Sequence, residues 1–151
     1  MMKITYVLGL TLLLISCNSS EKKKELSVVT ISEENINQQS SALKESIIRG
    51  KSIYDDFCVS CHLPNGKGVP KAFPPLANSD YLKNNRAKSL KAIKYGQSGE
   101  ITVNGQKYNG VMSPLGLENN EIADVMNYIT NSWGNSNDKL TTVDEVSKIE
   151  P

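Results

Sequence analysis

The run Cys58-Val59-Ser60-Cys61-His62 constrains this chain most tightly, because two thiols and an imidazole must emerge from little more than one turn of backbone. The chain has 151 residues, three cysteines and one histidine, so any site built from Cys and His alone draws on four side chains. Every aromatic residue except Tyr6, and five of six prolines, lie between residues 45 and 134. Material for a core is therefore concentrated in one domain. Seventeen basic residues face sixteen acidic ones, which excludes a nucleic-acid binder held by bulk charge.

The ends read differently. Lys3 precedes Ile4–Ile15, an apolar, uncharged run of twelve residues. A membrane-spanning helix needs about 20 such residues, so residues 1–16 read as a signal peptide. Leu14-Ile15-Ser16-Cys17 resembles the bacterial lipoprotein cleavage box, which implies that Cys17 is lipidated and becomes the first mature residue. Residues 18–44 carry four Lys and four Glu without an aromatic, too little apolar surface to offset the entropy of ordering. The stretch 17–44 is thus expected to be a lipidated cysteine and a flexible polar linker, with a reach of about 30 Å as a coil. Residues 135–151, with four acids and two lysines, are expected to be a polar tail.

Cys58-Val59-Ser60-Cys61-His62 matches the pattern by which c-type haem is attached. Thiols three residues apart can add to the two vinyl groups on one porphyrin edge, and the adjacent histidine then reaches the iron. A thioredoxin-like pair wants a βαβ frame, and none is readable here. Structural zinc wants four ligands; with Cys17 lipidated, only Cys58, Cys61 and His62 remain. A disulfide between Cys58 and Cys61 would be strained. One covalently bound haem c is the expected cofactor.

With the sole histidine used, a second axial ligand must be another residue type. Met1 and Met2 leave with the signal peptide, so Met112 and Met126 remain. Met126 belongs to Ile122, Val125, Met126, Ile129 and Trp133, an apolar stripe at helical spacing. Met112 lies in a loop bounded by Gly110 and Gly116, free to bring its thioether to a metal.

Leu43, Ile47, Gly50, Tyr54 and Phe57 recur at helical steps, predicting an amphipathic helix that ends at the first thiol. A second long helix is expected over about residues 120–133, capped by Asn119 or Asn120, with Gly50 letting the two cross closely against Tyr128 or Trp133. Residues 89–95 read as a short helix stopped by Gly96. Asn104-Gly105 suits a type I′ turn and makes residues 101–108 a hairpin. Gly50, Tyr54, the attachment motif, Phe73-Pro74-Pro75-Leu76, Ile101-Thr102-Val103-Asn104-Gly105, Tyr108-Asn109-Gly110-Val111-Met112 and the segment 127–134 together make residues 45–134 resemble a class I cytochrome c. The resemblance implies an all-α fold, helices wrapped around a covalently bound haem, with a small hairpin before the methionine loop. It also implies that His62 and Met112 are the axial ligands and that the Pro75 carbonyl accepts from the other histidine nitrogen. Two residues depart from the pattern: Ser113 stands where many relatives have proline, and Glu118 where a serine-like cap is common.

Together these features lead to an expected function: a lipid-tethered electron carrier, not an enzyme, anchored in the bacterial cell envelope with its haem domain in the periplasm. Its expected partners are an oxidase, reductase or dehydrogenase, met as a monomer. Two alternatives are a dedicated electron-transfer subunit of a dehydrogenase or reductase complex, and a five-coordinate haem enzyme or sensor. Lys83, Arg86, Lys88, Lys91 and Lys94 form a basic cluster that reads first as a solvated helical face.

Overall fold

The computed structural model describes residues 33–151, with side chains from residue 40 onward. The expected signal peptide, Cys17 and the expected linker as far as residue 32 lie outside the described residues. Helix α1 spans Glu33–Phe57 and α2 is the single turn Val59–His62. Helices α3 (Asp80–Asn84) and α4 (Arg86–Tyr95) come next, then strands β1 (Ile101–Val103) and β2 (Gln106–Tyr108), α5 (Asn119–Ile129) and α6 (Val143–Ser147). The architecture is all-α apart from that two-stranded antiparallel hairpin.

Helices α1 and α5 form the main helix pair. Ile122, Val125, Met126 and Ile129 are buried along α5, as their spacing predicts, and meet the fully buried Tyr54 of α1. Gly50 is where the backbones come closest: a Cβ there would run into the Asp124 carbonyl and the Tyr128 side chain. Trp133 is not the partner of Gly50; its ring lies where a Gly66 side chain would be. A polar clasp fixes the same crossing. Arg49 donates two hydrogen bonds to the Asp124 carboxylate at 2.6 and 2.8 Å, and the Ser46 hydroxyl donates a third at 2.6 Å.

Asn104 (φ 49°) and Gly105 (φ 76°) turn the hairpin, as the left-handed demand of a type I′ turn requires. The Asn104 amide oxygen accepts from the Asp80 backbone N–H, and the Asp80 carboxylate accepts from the Asn104 N–H, tying the turn to α3.

Three expectations are corrected. Helix α1 begins at Glu33, so residues 33–44 are helix and not linker. Helix α5 starts at Asn119, with Glu118 rather than an asparagine as its cap. Glu121 makes this possible by reaching back to accept from the Glu118 N–H at 2.8 Å, so a weak cap residue still has its amide paired. The helix ends at Ile129, where the Thr130 hydroxyl turns back to the Met126 carbonyl at 2.7 Å.

The third correction concerns residues 135–151, which pack against the domain. Their polarity misled because the polar groups satisfy backbone. Asn135 donates to the Leu76 and Ile129 carbonyls, and the buried Asn127 accepts from the Thr141 N–H and donates to its carbonyl. Val146 is fully buried. Arg86 grips Glu145 with two hydrogen bonds, at 2.6 and 2.8 Å, so the basic cluster is partly structural.

That grip holds the Glu145 carboxyl below the usual carboxylate range, chiefly through the Arg86 hydrogen bonds. A depressed folded-state value stabilises the fold above the unfolded pKa of about 4.3, and the gain is lost as pH falls through the folded value. Glu145→Gln is therefore expected to cost on the order of 1 kcal/mol at neutral pH. Thermal unfolding of both forms should converge once acid has protonated Glu145 in the parent; a pH-independent gap would contradict the assignment.

Candidate cofactor site

Helix α1 delivers the attachment motif directly. The Cys58 N–H still bonds the Tyr54 carbonyl at 2.9 Å, and the His62 N–H bonds the Cys58 carbonyl at 3.0 Å. One helical turn thus carries both thiols and the imidazole. The Tyr54 hydroxyl donates to the Leu63 carbonyl at 2.7 Å and fastens the far end of that turn to α1. Both cysteines are unbridged and half-buried. Burial, and then the neighbouring Cys61, push the Cys58 thiol up to about 11, so it is held neutral.

The His62 ring is fixed by Nδ1, which lies 3.0 Å from the Pro74 carbonyl. A carbonyl only accepts, so Nδ1 donates and Nε2 keeps its lone pair. Burial lowers the His62 pKa, opposed by the Pro74 bond. The outcome is a neutral, oriented imidazole, which is the form that binds a metal.

The acceptor is Pro74 and not Pro75, a correction of one residue. Gly68 sets this register. Its N–H bonds the His62 carbonyl, and it has φ 60°, at a point where a Cβ would collide with the Phe73 and Pro74 carbonyls. Just beyond, the Leu76 and Ala77 N–H groups both bond the Gly66 carbonyl, at 2.7 and 2.8 Å. Held at both ends, the segment turns the Pro74 carbonyl to the ring and leaves Pro75 as cavity wall.

The methionine loop reaches the same cavity. Met112 exchanges two backbone hydrogen bonds with Gln97, at 2.8 and 2.9 Å, and its side chain is half-buried. Cys58, Cys61, His62, Pro75 and Met112 all line one cavity of about 360 Å³. Met126 is fully buried in the helix core and is not part of that lining. Much of the remaining wall is apolar, with Leu82, Ile93, Val103, Val125 and Ile129 among it.

The donor set fits haem c. Two thiols sit one turn apart, an imidazole offers a free nitrogen, a thioether lies in the same cavity, and apolar walls suit a porphyrin face. Among the described residues no three Cys, His, Asp or Glu side chains converge as they would around a bare metal ion. Tyr81 and Ser89 also line the cavity and were not legible in the sequence, since neither falls in a motif.

Residues 47–133 match the family model described as cytochrome c. The chain belongs to the cytochrome c family. It is 41% identical over 109 residues to cytochrome c-552 of Thermus thermophilus, covering 66% of this chain and 82% of that one. It is 32% identical over 106 residues to the cytochrome c subunit of a quinone alcohol dehydrogenase from Gluconacetobacter polyoxogenes, covering 68% of this chain and 22% of that subunit. The cytochrome is of class I, carries covalently bound haem c and transfers electrons without catalysing a reaction of its own.

Replacing the two methionines separates their places. Met112→Ala is expected to abolish the ferric absorption band of sulfur ligation and to lower the reduction potential by a sizeable part of the about 0.8 V that axial ligands span. Met126→Leu should keep the band and cost less than about 1.5 kcal/mol of stability, as a volume-conserving core change. Loss of the band in Met126→Leu with its retention in Met112→Ala would reverse the assignment.

Proposed function

We propose that this cytochrome is a lipid-tethered carrier of single electrons between respiratory partners outside the cytoplasm, with Cys58 and Cys61 as thioether sites and His62 and Met112 as axial ligands. The observation that carries this is the shared cavity receiving both thiols, the His62 ring and the Met112 side chain. Bound haem c supplies a one-electron couple at its iron. The chain's part is to hold and orient. Pro74 fixes the imidazole, Gln97 fixes the loop bearing the thioether, and the apolar walls exclude water. Thioether ligation favours the ferrous state and raises the potential. His62 and Met112 would both be engaged in holding the haem iron, which would leave no place there for a substrate.

At the cavity mouth Phe57, Phe73 and Val111 are 45%, 38% and 75% exposed, an apolar rim suited to brief contact with another redox protein. Redox encounters of this kind commonly bury less than about 1,200 Å². Residues 45–134 hold ten Lys/Arg and eight Asp/Glu, and two haem propionates would bring that excess to zero, so strong charge steering is not expected.

Among the described residues no helix is long and apolar enough to cross a membrane. The tether is assigned to Cys17, with the lipid in a membrane of the bacterial envelope and the haem domain in the periplasm. Two or more acyl chains give stable anchoring at about 0.8 kcal/mol per buried CH₂. A short tether then keeps the domain concentrated near its partners. The similarity to a dehydrogenase cytochrome subunit favours a second reading, a carrier dedicated to one such complex.

Fractionation tests the proposal. Full-length protein should stay with membranes through a high-salt wash, because lipid insertion is not screened as ion pairing is. A form starting at Asn18 behind a cleavable soluble signal should be found in the aqueous periplasmic fraction, red and reducible. Retention of that form on salt-washed membranes, together with a co-purifying dehydrogenase, would replace the tethered carrier by the dedicated subunit.

A further inference from the structure

The segment Thr141–Ile149 lies beyond the stretch matched to the family, residues 47–133, yet it grips both ends of α4. At the start of α4, Arg86 bonds the Glu145 carboxylate and, at 2.8 Å, the Thr141 hydroxyl. At its end, the Lys94 ammonium donates to the Val146 and Ile149 carbonyls at 2.9 and 3.1 Å, and the Tyr95 hydroxyl donates to the Ile149 carbonyl at 2.9 Å. The segment is itself anchored to α5 through Asn127 and the buried Val146.

The chain leaving α4 connects this grip to the site. The helix stops at Gly96, whose φ of 85° turns the chain toward the Met112 carbonyl. Gln97, two residues after Tyr95, then makes the paired backbone hydrogen bonds to Met112. Ser89, Ala92 and Ile93, on the inner side of the same helix, line the cofactor cavity. A continuous path of hydrogen bonds and one helix end therefore runs from Ile149 through Lys94 and Tyr95 to Gln97 and Met112.

We propose that the C-terminal segment is a brace for the methionine loop, with Lys94 and Tyr95 as positioning residues that set how firmly Met112 is held against the cofactor. This rests on the reading of Met112 as an axial ligand. A loosened brace would let the loop open more often, and an added ligand would then compete better for the iron.

The test uses cyanide as the competing ligand on full-length ferric protein, together with amide hydrogen exchange at Gln97 and Met112. The double variant Lys94→Met, Tyr95→Phe is expected to bind cyanide about tenfold more tightly and to speed both amide exchanges by a similar factor. Tyr95→Phe alone, which removes one hydrogen bond, should move both readouts in the same direction and serves if the double variant does not fold. Glu145→Gln, acting at the far end of α4, should lower the unfolding temperature with a smaller effect on either readout. Cyanide affinity and exchange unchanged in the Lys94 and Tyr95 variants, with only the unfolding temperature reduced, would overturn the proposal. Met112→Ala separates the two readings: if it keeps the sulfur band, the ligand assignment fails, whereas its loss of the band with inert Lys94 and Tyr95 variants sinks the brace alone.

Discussion

The hydrogen bond from His62 Nδ1 to the Pro74 carbonyl joins the thiol-bearing turn to the Phe73–Leu76 segment, and the orientation of the imidazole depends on it. It settles which nitrogen carries the proton and so which one faces the cavity. It also requires that the turn bearing both thiols stand at a fixed distance from the Phe73–Leu76 segment. Gly68 allows the close approach, and the paired bonds to the Gly66 carbonyl keep the segment from slipping. Behind the turn, Tyr54 links α1 to Leu63, and its ring packs 4.9 Å from that of Trp133 and 5.4 Å from that of Tyr128. The helix pair and the ligand turn are therefore one packed unit.

At the methionine loop the constraint is weaker. The methionine loop has no helix of its own and owes its backbone placement to two bonds with Gln97. Such a loop can accept the thioether geometry that an iron demands, which a core methionine such as Met126 cannot. The cost is that its stiffness depends on neighbours: the end of α4 and the segment that grips it. With His62 and Met112 as the proposed ligands, a fixed turn and a braced loop would limit how far the ligands move between oxidation states, which would suit electron transfer.

Features whose residue types leave one physical outcome were legible in the sequence. Asn104-Gly105 could only be a left-handed turn, and the Ile122–Ile129 spacing could only be one face of a helix. Met112 and Met126 were separable because a glycine-bounded loop and an apolar stripe place a side chain differently. The acceptor for His62 missed by one residue because two successive prolines offer equivalent carbonyls, and only the turn at Gly68 chooses between them. The packing of the C-terminal segment is illegible for a related reason. Polar composition cannot distinguish solvated side chains from those, like Asn135 and Thr142, that pair with backbone in the fold. Arg86 and Lys94 stand in a basic run that suits a solvated face, and only the fold brings the acceptors of the C-terminal segment to them.

Covalent capture of a cofactor by the Cys58–His62 turn underlies all of this chemistry. Mass spectrometry of the denatured protein, matured in a host with haem-attachment machinery and extracted with acidified acetone, tests it most directly. The expected result is a mass increase of one haem per chain that survives extraction, and its loss when Cys58 and Cys61 are both replaced by alanine. A colourless chain of unmodified mass, or haem released into the acetone from the parent protein, would contradict it.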